Sequence, residues 1–394
     1  MKINQWTLGL AAVGVVSLAS AVNAEEARMN AVQTALSSTT ISGYVDTSVE
    51  WTLGNKSPAG LAVQSSIPFR SGKEDGFNLN VVKLTIENAM DESEWASGYK
   101  ADLLFGPDAN GLATGSPTSG DFGFENSDFA IKQAYIALRT PVGNGIDWKM
   151  GVFDTIIGYE TFEAGNNPNF TRSWGYAVEP TQHTGLLGTY RINDNIAFAA
   201  GMANTLSANI NDRAPLDANG GGRWRKTVMA SIAVTAPNDT GFLSGSSFYG
   251  GVVCGVNNVG SSYGSGTADQ SNWYLGATLN TPVTGLKAGF ALDVVNDLGG
   301  DQSTDAWVAG LYASFQATEK LSIHGRGEFG KIDDDSSSDT TLAGLTATVQ
   351  YDLWQNVISR LELRWDQTYG EDDFEFNATD DTGLSLMANV IYKF

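Results

Sequence analysis

Cysteine and histidine are almost missing from this sequence: Cys254 stands alone, and His183 and His324 are the two histidines. A single cysteine excludes an internal disulfide and any cysteine-rich metal centre. No Walker, dinucleotide-binding or HExxH pattern occurs, and neither histidine accompanies a G-x-S-x-G elbow. No catalytic residue, no cofactor-binding residue and no metal site is therefore expected. Positive charge is also scarce, with 23 lysines and arginines against 44 aspartates and glutamates. Nucleic acid, whose phosphates need a basic footprint, is excluded as a partner. Such a surface suits cations, or metal ions bridging it to anionic lipid headgroups such as those of lipopolysaccharide.

Long apolar runs are the third absence. Leu8 to Leu18 forms a short one, with Lys2 ahead of it and the small residues Val22-Asn23-Ala24 behind. This reads as a secretory signal over residues 1–24, too short to span a bilayer. Without it, 22 basic and 44 acidic residues remain, a net charge of −22. Beyond the signal, even the least charged stretch, Val228 to Val256, is broken by Pro237 and Asp239. No spanning helix is expected, which leaves a closed β-barrel open, because its hydrophobic signal falls on alternate residues.

What the sequence does have is glycine and aromatics: 45 Gly, 10 Trp, 13 Tyr and 18 Phe, suited to tight turns and aromatic girdles. Residues 25–40 read as a short periplasmic lead, either an amphipathic helix carrying Met29, Val32 and Leu36 or a disordered tail. From Ile41 the period becomes two: Val45, Thr47, Val49 and Trp51 share one face, and Tyr44, Asp46, Ser48 and Glu50 the other. The pattern recurs to the C-terminus, where Leu384, Leu386, Ala388, Val390, Tyr392 and Phe394 alternate with polar residues. Connections alternate too, short ones such as Pro141 to Gly145 with long ones such as Asp154 to His183. An antiparallel transmembrane barrel sorts its loops in this way, with short periplasmic turns and long extracellular loops. The expected fold is all-β, a closed barrel of about 16 strands over residues 41–394. Tyr392 and Phe394 are expected to form the closing-strand signal read by the barrel assembly machinery.

Three stretches carry a family resemblance. They are Gln133-Ala134-Tyr135-Ile136-Ala137-Leu138 with Trp148-Lys149-Met150-Gly151, then Gly158-Tyr159-Glu160 with Asn166-Asn167-Pro168-Asn169-Phe170 and His183-Thr184-Gly185, and finally Arg360 to Asp366. Together they resemble the OmpL-like family of β-barrel porins. The resemblance implies an outer-membrane porin and names no solute.

Charged residues at period two opposite apolar ones must face the lumen, since Arg or Lys on the lipid face costs ~2–4 kcal/mol at the midplane. The expected pore lining is Lys83, Glu87, Asp147, Lys149, Arg191, His324, Arg326, Glu328, Arg360, Glu362, Arg364 and Asp366. The third long loop is expected to form the constriction through Asp154, Glu160, Glu163, Arg172 and Glu179, unless it lies outside the barrel. Asp333, Asp334, Asp335 and Asp339 read as a solvated loop rather than a calcium site. The functional expectation is passive diffusion of small hydrophilic solutes and ions, weakly cation-selective at low salt because of the acidic mouth and Glu160 and Glu163. A solute-selective channel, for phosphate or another anion, and a non-conducting envelope scaffold are the alternatives; a homotrimer is one assembly open to the chain.

Overall fold

The structure, a computed structural model, describes residues 38–53, 67–70, 73, 75–112, 114, 127–206, 208–211, 225–256, 269–300, 304–334, 339–369 and 382–394. The signal segment 1–24 lies outside these residues, as do nearly all of the lead 25–40 and the acidic positions Glu74, Asp301, Asp335, Glu371 to Asp373, Asp380 and Asp381.

Sixteen strands run in chain order, each hydrogen-bonded to its sequence neighbours. They are β1 (Thr40–Leu53), β2 (Gly76–Asn88), β3 (Ser97–Phe105), β4 (Phe129–Thr140), β5 (Ile146–Asp154), β6 (Gln182–Arg191), β7 (Ile196–Ala203) and β8 (Thr227–Thr235). They continue with β9 (Ser247–Val256), β10 (Asp269–Asn280), β11 (Leu286–Asn296), β12 (Thr304–Gln316), β13 (Leu321–Asp334), β14 (Thr340–Trp354), β15 (Val357–Tyr369) and β16 (Thr382–Lys393). The ring closes where β1 pairs antiparallel with β16, from Tyr44 opposite Lys393 to Leu53 opposite Leu384. Gly43 and Phe394 extend this seam by exchanging both backbone hydrogen bonds, each 2.9 Å. Closure satisfies the edge donors and acceptors that hydrocarbon would otherwise leave unpaired.

The period of two sends side chains alternately inward and outward. On β13, Ser322, His324, Arg326 and Glu328 are buried inside while Ile323 and Phe329 are exposed outside. On β15, Arg360, Glu362, Arg364 and Asp366 point in, and Leu361 and Leu363 point out. Exposed aromatics gather at the two rims, Trp51, Phe77 and Tyr369 at the long-loop end and Tyr351, Trp354 and Tyr392 at the short-turn end. Such belts sit at the two membrane–water interfaces.

Among the described residues three bulges interrupt the ladders, and two of them matter for the interior. Between β1 and β2 the register skips Asn80, and between β3 and β4 it skips Lys132. A bulge re-aims its extra residue, and both residues are turned inward and buried. Two expected boundaries also change. Asp154 is the last residue of β5 rather than part of the third loop, and His183 lies in β6. Asp154 keeps strand geometry because it pairs in register with Gln182.

Replacing Tyr392 and Phe394 together by serine is expected to lower the amount of folded protein in the outer membrane while leaving export intact. Heat-modifiable electrophoresis of membrane and periplasmic fractions reads this out; wild-type surface levels would show that the end of the seam carries no assembly signal.

Candidate functional site, a loop clamped inside the barrel

The third long connection, residues 155–181, enters the barrel instead of lying over it. It leaves β5, crosses to strands β13–β15 on the far side of the ring, and returns to β6. A short helix, α2 (Trp174–Val178), lies near its end, capped by Ser173, whose hydroxyl accepts from the Tyr176 amide at 3.0 Å. At its root, Ile156 and Ile157 pack with Phe153, Leu187, Met229 and Val253 on the inner wall.

The far wall holds this loop by its backbone. Arg326 donates to the carbonyl of Thr171 at 2.7 Å, and Arg360 to those of Ala164 and Asn167 at 2.7 and 3.0 Å. Arg364 donates to the Arg172 carbonyl at 2.5 Å while its other nitrogens grip Asp366 at 2.8 and 2.9 Å. Carboxylates take the complementary role. Glu362 accepts from the amides of Phe170 and Thr171 at 2.5 and 3.0 Å and from the Thr171 hydroxyl at 2.6 Å. Glu328 accepts from the Trp174 amide at 2.5 Å, and Asp366 from its indole N–H at 2.9 Å. Guanidinium donors thus meet carbonyls and carboxylate acceptors meet amides, so a turn of irregular backbone is satisfied away from bulk water. Hydrogen bonds to charged groups contribute about 1.5–3 kcal/mol each, though not additively.

The loop's own charges are paired as well. Glu160, 2% exposed, takes Arg326 at 2.8 Å and the Ser173 amide at 2.7 Å. Glu163 takes Lys83 of β2 at 2.5 Å and Lys132 of β4 at 3.3 Å. Burial works against the Glu163 charge, but Lys132 and Lys83 hold its carboxyl well below the usual range. Arg172 turns back on the loop, donating to the carbonyls of Thr161, Phe170 and Phe162, and lies over the Phe69 ring of the first loop. Phe69 meets Phe162 edge-on at 5.0 Å, and the helix α1 (Pro107–Leu112) of the second loop joins the same cluster through Ala109 and Leu112.

Below the clamp the lumen keeps exposed charge. Glu87 and Lys100 stand 3.7 Å apart with side chains 38% and 26% exposed. Asp147 pairs with Arg139 at 2.6 Å, Lys149 lies over the Tyr135 ring at 4.9 Å, and Arg191 ends β6. The expected lining residues thus divide in two. Arg326, Glu328, Arg360, Glu362, Arg364 and Asp366 are occupied by the loop, while Glu87, Asp147 and Lys149 are only partly buried. Lys132 and Asp102 escaped the sequence reading. Asp102 is fully buried and paired with Lys83 at 3.0 Å. Lys132 sits on the bulge, where the period of two fails.

A family model described as "Putative beta-barrel porin-2, OmpL-like" matches residues 38–394. The chain belongs to this porin family. The three family-like stretches recognised in the sequence include the clamped loop and β15, its main receptor. None of the curated proteins matches the porin in sequence. Solved structures do match in fold. The outer membrane channel DcaP of Acinetobacter baumannii is 11% identical, covering 90% of this chain and 97% of its own, with a TM-score of 0.58. The anion-selective porin from Comamonas acidovorans is 13% identical, covering 91% and 99%, with a TM-score of 0.56. Salmonella typhi OmpF in complex with daunomycin is 11% identical, covering 90% and 97%, with a TM-score of 0.58. At these identities the likeness establishes the barrel and nothing about solutes. The porin is an outer-membrane protein, and its family and fold are those of a channel rather than an enzyme. His324 bonds Ser314 at 2.9 Å, and among the described residues its second ring nitrogen has no hydrogen-bond partner.

Glu362→Ala is expected to free residues 169–172 while leaving the barrel folded. Hydrogen exchange at the Phe170 and Thr171 amides should quicken at least about tenfold, the equivalent of ~1.4 kcal/mol of local stability. Unchanged protection would show that Glu362 does not hold the loop.

Proposed function

We propose that this porin passes small hydrophilic solutes and ions by passive diffusion, with a weak preference for cations. The observation that carries the reading is a polar lumen narrowed by a loop fixed to the far wall, with exposed charged side chains such as Glu87 and Lys100 beneath it. A fixed constriction in a wet lumen filters by size and needs no conformational cycle.

Of the two sources of selectivity the sequence suggests, the acidic mouth carries this proposal and the third-loop acids do not. Glu160 and Glu163 are neutralised by Arg326, Lys83 and Lys132, so they add little net field at the narrow section. The wall arginines 326, 360 and 364 are equally committed, which weighs against the anion-selective alternative. The excess of acid, 44 residues against 23 basic ones, is therefore left to act largely at the mouths. Such a field reaches about a Debye length, ~8 Å at physiological salt, and fades as salt rises. The same reading takes residues 1–24 as a removed export signal and 25–40 as a periplasmic lead. It also takes lipopolysaccharide and the barrel assembly machinery as partners, with a homotrimer as the assembly.

The reversal potential of purified protein in planar bilayers under a salt gradient is expected to have the cation-selective sign at low salt and to shrink at high salt. An anion-selective sign would refute the charge argument, and absence of conductance would favour the scaffold alternative.

A further inference from the structure

One contact between the loop and the wall is unlike the others. Where the loop returns toward β6, Glu179 comes carboxyl to carboxyl against Asp293 of β11. Asp293 is 3% exposed and lies under Gly175 of α2, where a Cβ would come within 2.6 Å of its Oδ2. Gly158 leaves the matching space beside the Glu179 carboxyl. Two carboxyl groups can bond only if one keeps its proton, because an ionised carboxylate only accepts. Among the described residues neither has an ion-pair partner. The titratable groups around them are Glu160 and Tyr159 of the same loop and Tyr274 of β10. Glu160 is already neutralised by Arg326, and neither tyrosine supplies positive charge.

We propose that the Glu179–Asp293 pair is a proton-dependent latch that holds the returning arm of the third loop against β11. With the proton in place, the pair joins the Asn272 side chain, which donates to the Val178 carbonyl at 2.8 Å, in fixing α2 to the wall. Loss of the proton sets two carboxylates against each other in a confined space, and that arm detaches. Burial pushes the Glu179 carboxyl well above its ordinary range, and Asp293 and Glu160 raise it further. A raised carboxyl stabilises the closed form at lower pH and loses that stabilisation as pH rises through its folded value. The Glu163 contact with Lys83 and Lys132 has the opposite sign, being retained as pH rises and lost as pH falls through its lowered folded value. The loop is therefore anchored at one end by a pair that opens as pH rises and at the other by one that does not.

The test follows loop motion separately from conduction, because the conduction arm rests on the channel reading. Ala177 is exposed beside the latch, so a nitroxide is placed there in an Ala177→Cys, Cys254→Ser protein. Its mobility is recorded from about pH 5 to about pH 9, a span covering strongly raised carboxyl values. Mobility is expected to increase with pH, and single-channel conductance to increase in parallel. Glu179→Gln should keep the label immobile throughout, since an amide bonds a carboxylate without a shared proton. Glu179→Lys should do the same by forming an ion pair with Asp293. Heat-modifiable electrophoresis confirms that each variant is folded. A label whose mobility is flat with pH in the parent, or still rises in folded Glu179→Gln, overturns the latch. A mobile label with unchanged conductance supports the latch and counts against the loop as the conductance-limiting element.

Discussion

The structure rests on the requirement that no backbone N–H or C=O be left without a partner where water cannot reach it. On the outside this is met by closing the sheet. The β1–β16 ladder and the Gly43–Phe394 exchange remove the last two edges. On the inside the same requirement recurs, because the third loop brings irregular backbone into the lumen. Wall charges meet it there. Arg326, Arg360 and Arg364 serve carbonyls, and Glu328 and Glu362 serve amides. The two solutions are linked, since charges can stand on the inner face only because apolar residues alternate with them on the outer one.

Using charged side chains as backbone receptors has a consequence for transport. A guanidinium that binds a carbonyl and a carboxylate is no longer a free positive wall, and a carboxylate holding two amides is no longer a free negative one. Breaking one member strands the others, which makes a buried ion-pair network costly to disturb. Where the loop sits, most wall and loop charges are thereby paired with one another. The Lys83–Asp102 and Lys132–Asp154 contacts extend the same cancellation along β2 to β5.

The barrel was legible in the sequence because lipid imposes a period of two on every strand, and loop parity counted the strands. The ladder Arg360-Glu362-Arg364-Asp366 was legible for the same reason. Its partners were not, since Glu362 recognises main-chain amides some 190 positions away, and main chain leaves no compositional mark. Lys132 was hidden by a bulge that breaks the alternation beside Gln133. Glu160 and Glu163 are legible as loop acids, but their individual partners are not, because Arg326, Lys83 and Lys132 come from distant strands. Glu179 is legible as an acid of the constriction loop, but nothing in the sequence ties it to Asp293, a lone acid of β11, until the fold brings the two together.

The third loop lies in the lumen against β13–β15. Asn169 and Thr348 offer a direct measurement, as their side chains bond at 2.7 Å across that contact. With both changed to cysteine in a Cys254→Ser background, a short thiol-reactive cross-linker is expected to join them fully while single-channel conductance stays as it was before linking. Failure to link in a folded barrel, or a sharp fall in conductance on linking, would mean that the loop normally lies elsewhere.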